Sequence, residues 1–93
     1  MLESTKLALR IKSSAFDEEI IDLINSAKTD LRISGVINID KEDPLIQHAI
    51  KIYCKANFGL CNKDSEKYQK SYDMLKQHLS LAGDYNAWYE KYN

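Results

Sequence analysis

His48, His78, Cys54 and Cys61 are the only imidazoles and thiols in the chain, so any metal or nucleophile chemistry based on those groups must use them. Zinc sites draw four such ligands from closely spaced pairs, with a Cys-x-x-Cys or His-Glu-x-x-His rhythm. Here the two histidines lie thirty residues apart and the two cysteines seven. Only a coincidence of folding would gather all four, so neither a metal nor a cofactor is expected. Cys54 reads as a small hydrophobe on the core side of a helix and Cys61 as a loop residue. Neither thiol stands in a nucleophile motif, and no Ser sits on a Gly-x-Ser-x-Gly elbow. Gly35, Gly59 and Gly83 stand singly, which leaves no phosphate-cradling loop. Asp17, Glu18 and Glu19 form the one tight carboxylate cluster, and their place at a helix start explains them without catalysis. The chain is expected not to be an enzyme.

Aromatic residues are a stronger signal. Tyr85, Trp88, Tyr89 and Tyr92 supply four of the nine aromatics within the last ten residues. Their offsets of three, four and seven put them on one face if the segment is helical. A ten-residue helix is marginal by itself and must dock on something. Tyr and Trp are enriched at interfaces because they bury large area and keep a hydrogen-bonding tip. Docking on the chain's own bundle and docking on a neighbouring chain both fit.

Four segments with helical period must position these residues, and together they predict an all-α fold: a small antiparallel bundle of about four helices over 3–10, 15–34, 44–58 and 64–82. The first is short, with Ser4 or Thr5 as its cap. Ser14 caps the second, with Asp17 three residues on. Ile20, Leu23, Ile24, Ala27 and Leu31 form its apolar stripe, Ile21 widens it, and Gly35 stops it. Asp43-Pro44 opens the third, whose face is Leu45, Ala49, Ile52, Tyr53 and Ala56, broadened by Ile46 and Ile50. Tyr68, Tyr72, Leu75, Leu79 and Ala82 make the fourth stripe, ahead of a stop at Gly83. The bundle therefore occupies 1–83 and the aromatic tail 84–93 of a single domain. Between the second and third helices, Val36, Ile37 and Ile39 make the 36–42 connector apolar. It is either a loop tucked against the core or an extended arm that pairs with a neighbouring subunit.

Composition narrows the function. A domain of 93 residues buries only about 60–65% of its unfolded surface, so its core is thin and a partner surface would stabilise it. Net charge is −1, with 13 basic and 14 acidic residues interspersed along the chain, so there is no basic arm for gripping phosphates. No apolar run approaches the roughly 20 residues that span a membrane. No signal-peptide stretch opens the chain, so a soluble protein made in a cytoplasm, with reduced thiols, is expected.

The order and spacing of several pieces carry a resemblance. Asp43-Pro44-Leu45-Ile46 leads through Ala49-Ile50 to Tyr53-Cys54-Lys55-Ala56-Asn57-Phe58-Gly59. Tyr68, Ser71-Tyr72-Asp73-Met74-Leu75-Lys76, His78-Leu79-Ser80 and Ala82-Gly83-Asp84-Tyr85 follow. Upstream stand a short Leu-Ala-Leu-Arg-Ile helix, a polar break and a helix with an acidic start. Over nearly its whole length the chain resembles the head–tail connector (adaptor) family of tailed bacteriophages, in the branch found in phages and prophages of Gram-positive bacteria. The resemblance implies a structural subunit of the virion neck, made in the bacterial cytoplasm. Copies would form a ring, twelve-fold in the virion, beneath the portal protein. The ring would extend the DNA channel, bind a stopper or other neck protein, and let DNA pass without specific binding. No catalytic residue comes with the family. On this reading Tyr85, Trp88, Tyr89 and Tyr92 are candidates for portal docking, and Val36, Ile37 and Ile39 for the inter-subunit or downstream face. A host-encoded helical module that binds protein or DNA is the alternative. A helix-turn-helix would need a tighter turn than 36–42 and a more basic helix than one carrying Lys51 and Lys55.

Overall fold

A computed structural model of the chain describes residues 1–36, 43–59 and 64–82. They form four α-helices, α1 (Leu2–Leu9), α2 (Asp17–Ile33), α3 (Pro44–Asn57) and α4 (Ser65–Leu81), with a short 3-10 turn over Ser14–Phe16. The all-α bundle is as the periodicity predicts. α3 is the central helix and packs on α1, α2 and α4. Side-chain pairs fix the directions. Phe16 at the start of α2 meets Phe58 at the end of α3. Tyr53 and Lys55 of α3 meet Tyr72 and Tyr68 of α4 in reverse order. Successive long helices therefore run antiparallel.

Helix ends show why these residues fold here. The Asp43 carboxylate accepts from the Leu45 and Ile46 amides at 2.8 and 3.3 Å, and Pro44 fills the first turn, where its missing N–H costs nothing. Gly35 closes α2 with φ +97°. Its amide donates to the Arg32 carbonyl and the Val36 amide to the Leu31 carbonyl, a Schellman pattern whose apolar partners, Leu31 and Val36, are both buried. Arg10 builds the same pattern at the end of α1, its amide donating to Leu7 and that of Ile11 to Lys6. There the left-handed residue is not glycine: Arg10 has φ +61°.

The N-terminal caps differ from those expected. Ser13, not Ser14, accepts from the Ala15 amide, at 3.0 Å, and opens the 3-10 turn that delivers the chain into α2. Ser4 and Thr5 lie inside α1, because the helix begins at Leu2, three residues before a Ser4 cap would start it.

Ile20, Ile24, Ala27 and Leu31 of α2, Ile46, Ala49, Ile50 and Cys54 of α3, and Tyr72 and Leu79 of α4 form one core. The buried face of α3 is turned from the one expected. Ile46, Ile50 and Cys54 point inward, and Leu45 is 47% exposed. A helix that packs on three neighbours buries a wide arc, and the arc is centred on the Ile46–Ile50–Cys54 row.

Candidate functional site

Two of the four metal-capable residues are in solvent. His48 and His78 are exposed on α3 and α4. Cys54 is wholly buried, and desolvation pushes its thiol up to about 12, which keeps it protonated and inert. Cys61 lies outside the described residues. Among those residues no group of three or more His, Cys, Asp or Glu side chains could hold a metal ion. Glu18 and Glu19 are exposed in the first turn of α2, where carboxylates complement the helix dipole.

The polar groups that the fold does gather act as clamps between helices. Lys6 of α1 reaches Asp17 at the head of α2, Nζ to Oδ1 2.8 Å, with the lysine side chain only 9% exposed against 31% for the aspartate. This ion pair ties the eight-residue α1 to the bundle. The second clamp joins α2 and α4. The Tyr72 hydroxyl donates to Asp30 Oδ2 at 2.6 Å, and Lys76 Nζ donates to the same oxygen at 3.0 Å. Tyr53 packs edge-on against the Tyr72 ring at 5.1 Å, and the Lys76 ammonium lies 5.3 Å from that ring. Partial burial works to raise the Asp30 carboxyl, but the hydrogen bonds from Tyr72 and Lys76 and the Lys76 charge outweigh it, so it titrates below its ordinary 3.8. Burial first, and then the bond to Asp30, pushes the Tyr72 phenol well above its ordinary 10.0. An ionised carboxylate facing a neutral phenol and an ammonium has no proton to exchange near neutral pH. The cluster holds helices together.

At one end of the bundle a cleft of about 370 Å³ opens between the end of α1 (Ala8–Arg10), the end of α3 (Lys55, Phe58) and the start of α4 (Asp64, Tyr68). Its size lies at the small end of the roughly 300–1,000 Å³ usual for ligand pockets. Phe58 and Tyr68 give it an aromatic floor, and Lys55 lies 5.5 Å from the Tyr68 ring centroid. Arg10 borders this cleft and a second hollow lined by Leu7, Ile11 and Lys12. Leu7 is 79% exposed beside it.

Of the residues proposed from sequence as interface, Val36 is described. It is buried in the core of its own chain, as the apolar partner of the Schellman turn. Ile37, Ile39, Tyr85, Trp88, Tyr89 and Tyr92 lie outside the described residues. Sequence reading missed Asp30, Tyr72 and Lys76 as a unit, because 42 and 46 residues separate the partners. Arg10 left a faint signal: a polar break after a short apolar run, without the glycine that marks most such turns.

A family model described as phage connector protein matches residues 1–86, which takes in all four helices. No curated protein and no solved structure matches the chain.

Proposed function

Since the chain belongs to the phage connector protein family, with a structural role in the head–tail connection, we propose that it is the ring-forming subunit of the neck. Copies assemble beneath the portal vertex, extend the DNA channel and present a face to the stopper or next neck protein. A twelve-subunit ring follows if the connector matches the portal's symmetry. The family match over residues 1–86 carries this reading, because it covers the whole bundle rather than one motif.

The chain's physical character supports it. Large apolar side chains stay in water on this one small domain, Leu7, Ile33, Met74 and Leu81 among them. A subunit with a thin core gains stability by covering such groups in assembly, and a standard interface buries about 1,200–2,000 Å². In a closed ring every copy meets two neighbours through the same heterologous pair of surfaces. A net charge of −1 with mixed signs makes a channel wall that does not hold phosphates, so DNA slides through without specific binding. The 84–93 segment and residues 37–42 of the connector are the proposed docking segments, Val36 being buried in its own chain's core.

Native mass spectrometry of the purified chain, alone and with its portal protein, tests the proposal. Monomers or small oligomers alone, and a ring-sized complex with portal, are the expected result. A chain that stays monomeric with portal present contradicts it. A mobility-shift assay at moderate salt tests the regulatory alternative, which requires a specific shift at nanomolar protein.

A further inference from the structure

We propose that the cleft between α1, α3 and α4 receives the aromatic segment 83–93 of the next copy, so that the subunits join head to tail. This rests on the ring-subunit reading and names the contact that would build the ring. α4 runs away from the cleft, because Asp64 and Tyr68 at its start line the hollow and Leu81 at its end lies 17 residues on. At 1.5 Å per residue that places the root of the segment about 25 Å from the α4 side of the cleft. Eleven residues remain after Ala82. If the segment is a helix, the form that puts its aromatic residues on one face, it spans about 16 Å, less than the distance back to the cleft of the same copy. A neighbour's segment meets no such limit.

Chemistry matches as well as length. The segment carries Tyr85, Trp88, Tyr89 and Tyr92 with Asp84 and Glu90 against one base, Lys91. The receiving end offers Phe58 and Tyr68 as an aromatic floor and Leu7 as exposed apolar surface. Arg10, Lys12 and Lys55 stand there against one acid, Asp64. Arg10 makes no ion pair among the described residues. Two different surfaces that fit each other, at opposite ends of one subunit, make a heterologous contact, the kind that closes into rings.

Trp88 is the only tryptophan, so it reports on the segment in the intact chain. Its emission is expected to shift to the blue as protein concentration rises. A photo-crosslinker at position 7 should capture residues 84–93, and in a mixture of heavy- and light-isotope chains the captured pairs should join heavy to light. The double substitution Leu7→Glu, Arg10→Glu, on two exposed residues, should move the midpoint of the emission change at least tenfold to higher concentration while leaving the thermal midpoint in place. Emission independent of concentration, or crosslinks confined to single copies, would overturn the proposal. So would capture of the segment by portal protein instead. A ring that forms with portal while position 7 captures nothing would sink this contact and leave the ring-subunit reading standing.

Discussion

Thr5 is fully buried in α1, and its hydroxyl has no hydrogen-bond partner. A buried polar group left unpaired costs roughly 1–3 kcal/mol, whereas an apolar group of the same shape removes that cost. Thr5→Val should therefore stabilise the bundle by about 1 kcal/mol, seen as a rise of a few degrees in thermal midpoint; a fall in midpoint would mean the hydroxyl is satisfied in solution. Arg10 bears a second local cost, since a left-handed backbone is unfavourable for a residue with a Cβ. Arg10→Gly should gain about 0.5 kcal/mol, the strain relief being partly offset by the freer unfolded chain. The Lys6–Asp17 pair predicts an asymmetry. Asp17→Asn strands an ammonium that is 9% exposed, while Lys6→Met leaves a carboxylate whose Oδ1 is buried but whose side chain is 31% exposed, so its other oxygen can hydrate. Denaturant unfolding should find the first the more destabilising, in line with the cost of an unpaired buried charge.

At the scale of elements, the Asp30–Tyr72–Lys76 clamp gives stability a pH window. Asp30 titrates below 3.8 in the fold, so its contribution is present above that value and is lost as pH falls through the folded pKa. Tyr72 titrates above 10.0 in the fold, so its contribution is complete below 10 and is lost as pH rises further. Thermal midpoints across pH should fall on both sides. Tyr72→Phe should weaken the alkaline fall and cost about 1.5–3 kcal/mol at neutral pH, the scale of a hydrogen bond to a charged group. An alkaline limb unchanged in that variant would remove Tyr72 as its cause. Much at this scale was legible in sequence: Asp43-Pro44 and Gly35 mark ends whose chemistry is local, and the α2 stripe reads directly from a 3.6-residue period. The clamp was not legible, since nothing in Asp30 announces a partner on another helix. Leu45 misled because periodicity fixes that a stripe exists more firmly than where its centre lies on a helix with three neighbours. Ser13 was missed because a 3-10 turn precedes α2 and shifts the cap one residue upstream.

For the whole molecule, a small bundle with a modest core and large apolar side chains in solvent is suited to working as part of an assembly. Its bonds between helices keep the shape fixed, and in the proposed reading its surface and aromatic segment supply the contacts. Truncation after Gly83 should leave the helices in place, as read by far-ultraviolet circular dichroism, yet abolish incorporation into the neck. A truncated chain that still joins normal virions would remove the docking role of 84–93. The family also sets where loss of the protein must show. If the chain joins head to tail, deleting its reading frame from the phage that encodes it should leave heads and tails unjoined. Electron microscopy of lysates from such a deletion is the most direct test: separate heads and tails are predicted, and intact tailed virions in normal number would contradict the account.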